Sequence, residues 1–210
     1  ITIDKAITLD GNGHKLNTTA SRAINVDTQN GTVTTTIKNL EIVGGKGCQR
    51  GINIIDGAYK DTPANVTLEG VKISGVSTYG VQLASSVGSE NTITIKDSEI
   101  HSWIALSING DNQTVTVENS NLYGTAYSAN DKGNTITVTG KNTTVTMTGG
   151  VLSAATSEGL ANHHCGHIVE PTSSINLTNV ETNVAKEGDE VIRRAMARIE
   201  GKDGSFMTLE

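Results

Sequence analysis

The chain has 210 residues, of which 35% are hydrophobic and only 3% aromatic, and its net charge is −6. This acidic balance gives no electrostatic footprint for nucleic acid or an anionic membrane surface, and no apolar stretch approaches the roughly 20 residues that span a bilayer. We therefore exclude nucleic acid as a partner and membrane insertion of this fragment. The small apolar content suits a thin repeat protein, whose coils rest only on their neighbours.

One short pattern recurs along the chain. Two apolar residues flank an outward polar one, a corner of Asn, Asp or Gly follows, and a second short alternation completes the copy; an imperfect first copy spans 8–16. The corner residues lie 22 to 31 positions apart at Asn39, Gly70, Asp97, Asn119, Gly149 and Asn179. A repeat of this length with β periodicity predicts a solenoid, and these residue types suit corners with positive φ.

Each coil is predicted to hold three strands. We name the strand before the corner B and the strand after it C. A further strand A is expected at 23–26, 51–54, 80–83, 106–108, 136–138 and 167–169. The prediction is an all-β, right-handed parallel β-helix of about six coils, occupying residues 1–186.

Two outward columns follow from the alternation of side chains in strand B. One is a threonine ladder of Thr36, Thr67, Thr94, Thr116 and Thr146. The other alternates in charge through Lys38, Glu69, Lys96 and Glu118. With only one threonine column regular, the preference of threonine for exposed strands explains it, and ice binding is not predicted.

The pattern changes after Val184. From Gly188 onward, apolar residues recur at helical spacing, with acids early and bases late. This predicts a short C-terminal helix within 187–210, acting as a cap or linker and carrying Val191, Ile192, Ala195, Met196 and Ile199.

Two cysteines, Cys48 and Cys165, take similar places in coils about four apart. At about 4.8 Å per coil they would be roughly 19 Å apart, which is too far for a disulfide. We predict two free thiols.

The repeated corner and the opening Ile7-Thr8-Leu9-Asp10-Gly11 resemble the parallel β-helix superfamily typified by pectate lyases, and in particular the β-helix regions of bacterial cell-surface and adhesin-like proteins. The resemblance covers about residues 1–184 and implies an extracellular or cell-surface location. The hydrolases of this superfamily bring paired aspartates, Gly-His-Gly and Arg-x-Lys, whereas the lyases bring an acidic calcium cluster with a basic residue. The nearest match here is Gly166-His167-Ile168, without the aspartate pair, so no catalytic residue is assigned.

The segments leading from strand C back to strand A collect the unusual side chains. The candidate ligand-binding residues are Arg50, Tyr79, His101, Trp103 and Tyr127. Tyr79 and Trp103 each precede a strand A, so we expect them to stack as a short strip on which sugar rings pack. The alternative is that these aromatic residues only cover the loop ends of the core.

A second cluster places four metal-ligand types in five residues, at His163, His164, Cys165 and His167. Zinc sites usually draw on two separated ligand pairs, so a local metal site, a polar loop and a Cys-His nucleophile stay open as alternatives. The loops from A to B hold Asp27, Asp56, Asp61, Glu90 and Asp111, which suit either calcium or solvated charge. No cofactor is predicted beyond that calcium.

These observations predict a non-catalytic adhesin-type or carbohydrate-binding module of a secreted or surface protein. Its partner would be a polysaccharide, a host glycan or a surface protein. The alternative is a polysaccharide lyase or glycoside hydrolase that uses Arg50, His101, His163 and His164.

Overall fold

The computed structural model describes residues 1–54, 62–84, 90–125, 134–154, 164–184, 190–194, 197–200 and 206–209. This part of the chain is all-β, and no helix in it is long and apolar enough to cross a membrane. In chain order the strands are β1 Thr2–Ile3, β2 Thr8–Asp10, β3 Lys15–Thr18, β4 Arg22–Val26, β5 Val33–Lys38, β6 Glu41–Gly44, β7 Arg50–Ile54, β8 Ala64–Glu69, β9 Lys72–Ser74, β10 Tyr79–Leu83, β11 Thr92–Lys96, β12 Glu99–Ser102, β13 Ile104–Ile108, β14 Thr114–Gly124, β15 Ile136–Val138, β16 Thr144–Ser153, β17 Gly166–Ile168, β18 Ser174–Thr178, β19 Glu181–Asn183, β20 Ile192–Arg194, β21 Ala197–Glu200 and β22 Phe206–Leu209.

The strands stack coil on coil into a parallel β-solenoid. Strand A of successive coils forms one sheet in the order β1-β4-β7-β10-β13-β15-β17-β20. Strands B and C belong to a second sheet, in which β14 and β16 run through both positions without a break. All six predicted A strands are present, and the predicted fold class is confirmed. The structure has about five turns, which differs slightly from the six coils expected.

The core is a column of aliphatic side chains between the two sheets. In strand B, Ile37, Leu68, Ile95, Val117 and Met147 are in register and fully buried. They were predicted to face inward. Each removes its apolar surface from water, and burying one such side chain contributes roughly 1.5 to 3 kcal/mol.

The corner from strand C to strand A admits only small residues on its inner side. A Cβ on Gly51 would lie 2.7 Å from the Cγ2 atom of buried Ile73, and one on Gly80 would collide with Ile100. Ala23 and Ala105 take the matching places in other coils and are buried. The residues before Ala23, Gly51 and Gly80, which are Arg22, Arg50 and Tyr79, are half-buried, whereas Ile104 before Ala105 is buried.

The corner between strands B and C has the predicted backbone conformation. Positive φ angles of 47° to 68° occur at Asn39, Gly70, Asp97, Asn119, Gly149 and Asn179. The Nδ2 atom of Asn39 donates a hydrogen bond to Oδ1 of Asp10, at 3.1 Å. Asn and Gly recur here because both tolerate a left-handed backbone at small cost.

Charged columns fix the register of the coils. Lys38, Glu69, Lys96 and Glu118 are in register as predicted, and Lys96 and Glu118 form an ion pair of 3.1 Å. A second alternating column on strand C, which the sequence analysis missed, contains Lys15, Glu41, Lys72 and Glu99. Exposed pairs of this kind contribute at most about 1 kcal/mol each, so their main effect is on alignment.

The predicted C-terminal helix is wrong for the described residues. Ile192 lies in β20, which pairs in parallel with β17, and Ile199 lies in β21, which pairs with β22 in antiparallel fashion. The N–H group of Gly166 donates to the carbonyl oxygen of Val191, at 3.0 Å. The open edge of β17 offers hydrogen bonds that local helical spacing does not take into account, and β-branched residues favour a strand there. Ala195 and Met196 lie outside the described residues.

Candidate functional site

Aromatic side chains gather where strand C turns into strand A. Tyr79 begins β10, and Trp103 is the single residue between β12 and β13. Their ring centroids are 6.4 Å apart and their planes differ by 20°, within the range of favourable aromatic pairs. The expected stack of these two residues is therefore present.

A second ring pair lies beside the first, on the outer side of strand C. His101 in β12 and Tyr123 in β14 are register partners, with centroids 4.4 Å apart and planes within 13°. The Nε2 atom of His101 is 2.7 Å from Oε1 of Glu99. The sequence analysis made His101 a candidate but did not pair it with Tyr123, although each follows the buried aliphatic residue of its strand C.

Arg50 completes what we call the aromatic strip, defined as Arg50, Tyr79, Trp103, His101 and Tyr123. The Cζ atom of Arg50 is 5.9 Å from the centroid of the Tyr79 ring, a distance at which a cation–π attraction operates. Because β7 and β13 flank β10, Tyr79 is in register with Arg50 on one neighbouring strand and with Ile104, the residue after Trp103, on the other. All five residues of the aromatic strip are half-buried. Tyr127 lies outside the described residues.

The outer face of the strand-A sheet carries a row of polar side chains, which we call the polar row. Its members are in register at Asn25, Asn53, Gln82, Ser107, Thr137, His167 and Arg193. The Nδ2 atom of Asn53 donates to Oδ1 of Asn25, at 2.6 Å. In the described structure, the oxygens Asn53 Oδ1, Gln82 Oε1 and Thr137 Oγ1 are buried without a protein partner. Buried acceptors of this kind are normally satisfied by water.

The four proposed metal ligands do not converge in the described structure. His163 lies outside the described residues. His164 is buried, with Nδ1 2.8 Å from the carbonyl oxygen of Glu190, whereas His167 belongs to the polar row. The Sγ atom of Cys165 is 3.3 Å from the carbonyl oxygen of Leu152 and points into the core. Among the described residues, no group of three or more His, Cys, Asp and Glu side chains could hold a metal ion.

Both cysteines are free and buried, as the predicted spacing requires. Burial raises the pKa of the Cys165 thiol, against smaller opposing hydrogen bonds to backbone oxygens, and it raises the pKa of the Cys48 thiol in the same way. A reactive cysteine needs a lowered pKa and access to solvent. Neither thiol has the surroundings of a nucleophile.

Two of the carboxylates proposed for calcium accept hydrogen bonds from backbone N–H groups, one within its own turn and one from the next coil. Oδ1 of Asp27 accepts a hydrogen bond from the N–H group of Gln29, and Oδ1 of Asp111 accepts one from that of Lys141. Asp56 and Asp61 lie outside the described residues. The structure thus gives Asp27 and Asp111 a role in the loops that connect strands A and B.

The residues suggested for catalysis are spread along the solenoid. Register partners lead from Ile52 through Val81, Leu106 and Ile136 to Gly166, so Arg50 and His164 are four coils apart. At about 4.8 Å per coil, that separation is roughly 19 Å. A single sugar ring could not contact both.

A groove in the described structure lies elsewhere, at the corner between strands B and C. It is open, encloses about 380 Å³, and is lined by Asn12, Gly13, Asn39, Leu40, Glu41, Gly70 and Lys72. Its walls are the positive-φ corners and the charged column already described. It contains none of the candidate residues.

No protein family model, no curated protein and no solved structure matches this chain. The class of protein is therefore defined by its fold alone, and that class is the parallel β-solenoid.

Proposed function

We propose that this protein is a non-catalytic β-solenoid of a bacterial surface or secreted protein, of the adhesin type, that binds carbohydrate along the aromatic strip. The single observation that carries the proposal is that two ring pairs, Tyr79 with Trp103 and His101 with Tyr123, form between neighbouring coils, with His101 two residues before Trp103. Together they place four rings on three neighbouring coils. The apolar faces of sugar rings pack on such rings, and polar groups nearby bind the hydroxyls.

The two ring pairs contribute unequally to sugar binding. The Cζ atom of Arg50 and the ring of Trp103 lie 5.9 Å and 6.4 Å from the centroid of the Tyr79 ring, and the 4.4 Å distance between His101 and Tyr123 closes their facing surfaces. Trp103 stands at the turn between two strands and offers the largest apolar ring of the aromatic strip. We therefore assign the main sugar contact to Trp103, with Tyr79 as its support.

The resemblance to pectate-lyase-like proteins raises turnover as the alternative outcome, and one experiment separates it from binding. The purified chain is exposed to a panel of polysaccharides and glycans, with and without calcium, while binding and the release of unsaturated or reducing ends are measured together. We expect saturable binding without product. Release of product would overturn the non-catalytic assignment.

The contact is tested with Trp103→Ala, which should weaken binding at least about tenfold, equivalent to about 1.4 kcal/mol. Val151→Ala is the matched control, because Val151 is half-buried like Trp103 and is an outward residue of strand C outside the aromatic strip. Equal affinities for the two variants would remove the aromatic strip from the binding site.

A further inference from the structure

Threonine forms two parallel columns on the outer face of the strand-B sheet. The first column is in register at Thr8, Thr36, Thr67, Thr94, Thr116, Thr146 and Asn176. The second lies two residues earlier in each strand, at Thr34, Asn65, Thr92, Thr114, Thr144 and Ser174. We call the two columns the threonine face. Only the first column is regular in the sequence, and the second becomes evident once the register is known.

The two columns form a lattice with two nearly perpendicular repeats. Along a strand, residues two apart on the same face are about 6.7 Å apart, and neighbouring strands are about 4.8 Å apart. Oxygen atoms on a prism plane of hexagonal ice repeat at similar distances in two perpendicular directions. The threonine face therefore resembles one layer of ice in its spacing.

The threonine side chains are held rigidly and their hydroxyls are available to water. Within the described chain, Thr92, Thr94, Thr114, Thr116, Thr144 and Thr146 have no hydrogen bond from their side chains to protein groups. Between them, Ile93, Val115 and Val145 are buried and anchor the strands. A β-branched side chain has few χ1 rotamers, so little side-chain entropy is lost when the face meets an ordered surface.

The general preference of threonine for strands does not explain why it is concentrated on this face. That preference applies to every exposed strand position. The corresponding outward column of strand C reads Lys15, Glu41, Lys72, Glu99, Asn121, Val151 and Glu181. The described residues of that column include no threonine. A requirement specific to the strand-B face is the simpler account.

The border of the threonine face is electrically balanced. The column beside it alternates Lys38, Glu69, Lys96 and Glu118. The Nζ atom of Lys96 is 3.1 Å from Oε2 of Glu118, so opposite charges are paired at the edge. Paired charges produce a weaker field at the neighbouring hydroxyls than a column of one sign would.

The geometry points to a second binding surface, at which the threonine face binds ice. Its hydroxyls and methyl groups order water molecules at the spacing of the ice crystal. The threonine face then binds the ice surface through these ordered water molecules. This surface lies on strand B, whereas the aromatic strip lies on strand C and the start of strand A, so the proposal does not depend on carbohydrate binding.

The proposal is tested on the purified chain with pure ice. Thermal hysteresis, the shape of single ice crystals and the fraction of protein retained in a slowly growing ice body are measured. We expect hysteresis, faceted crystals and enrichment in ice. Thr94→Tyr, in the middle of the face, should lose all three because the tyrosine ring holds the lattice away from its neighbours.

Ser74→Tyr supplies the matched control, since Ser74 is an outward, half-buried residue of strand C. It should behave towards ice as the unaltered chain does, and circular dichroism should show the same strand content in both variants and the unaltered chain. Absence of hysteresis and enrichment in the unaltered chain would overturn the proposal. Equal retention of Thr94→Tyr and Ser74→Tyr in ice would do so as well.

Discussion

Single residues inside the solenoid are specified by burial and backbone shape. Cys165 illustrates burial, because its thiol lies in the core and its only hydrogen-bond partners among the described residues are backbone oxygens. Asn39 illustrates backbone shape, because its φ of 51° suits few side chains other than glycine. Once the coils are recognised, the sequence predicts both the buried position of Cys165 and the corner conformation of Asn39.

The buried thiols make stability depend on pH in the alkaline range. Burial raises the folded-state pKa of Cys165 above its ordinary value of 9.0. The stabilisation is therefore complete below pH 9 and is lost as the pH rises through the higher folded-state pKa, since the unfolded thiol then gives up its proton more readily. We expect the free energy of unfolding to fall less steeply above pH 9 in Cys165→Ala than in the unaltered chain. Denaturant titrations on either side of pH 9 measure this, and identical slopes would contradict it.

At the scale of the strand, buried hydroxyls connect neighbouring coils where the ladder is interrupted. Oγ of Ser120 accepts from the N–H group of Ser98, at 3.1 Å, and donates to the carbonyl oxygen of Glu118, at 2.8 Å. Oγ of Ser98 accepts from the N–H group of Val71 in the same way. These serines satisfy backbone donors that the turn from strand B to strand C leaves unpaired.

Removing one of these hydroxyls should destabilise the fold. In Ser120→Ala the buried N–H group of Ser98 loses its partner, and we expect the free energy of unfolding to fall by about 1 to 3 kcal/mol. Ser74→Ala, at a half-buried outer position, should change it by less than about 0.5 kcal/mol. Urea unfolding of both variants provides the comparison. Similar losses in the two would show that the hydroxyl of Ser120 contributes no more than a surface group.

The C-terminal strands show where reasoning about one element fails. Helical spacing from Val191 to Ile199 was real, yet Ile192 pairs with Gly166 in the edge of the strand-A sheet. The spacing of apolar residues indicates only which secondary structure a segment could form in isolation. The open edge of β17 and its hydrogen bonds come from a coil more than twenty residues earlier, and they decided the outcome.

At the scale of the whole molecule, each coil contacts only the coils beside it. A destabilising substitution should therefore affect neighbouring coils more than distant ones. Ile95 is fully buried in a central coil and Ile175 is buried near the C-terminal end. Ile95→Ala should lower stability by about 2 to 5 kcal/mol and weaken amide protection in coils on both sides. Ile175→Ala should weaken protection in β16, β18 and β20 while β5 and β8 keep theirs.

Hydrogen exchange read strand by strand makes this measurement, with denaturant unfolding as its companion. Uniform loss of protection in Ile175→Ala would mean that the solenoid opens as one cooperative unit. A loss limited to the C-terminal coils would confirm nearest-neighbour behaviour.

The sequence by itself determined the strands, the corners and the coil order, because those depend on alternation and on φ, which are local and repeat with the coil. It also determined the Tyr79–Trp103 stack, since both residues precede a strand A. The tertiary structure alone decided the pairing of His101 with Tyr123, the second threonine column and the fate of the C-terminal segment. Each of these depends on register between coils, where a shift of one residue moves every side chain to the opposite face. That register is fixed by contacts between residues far apart in the chain.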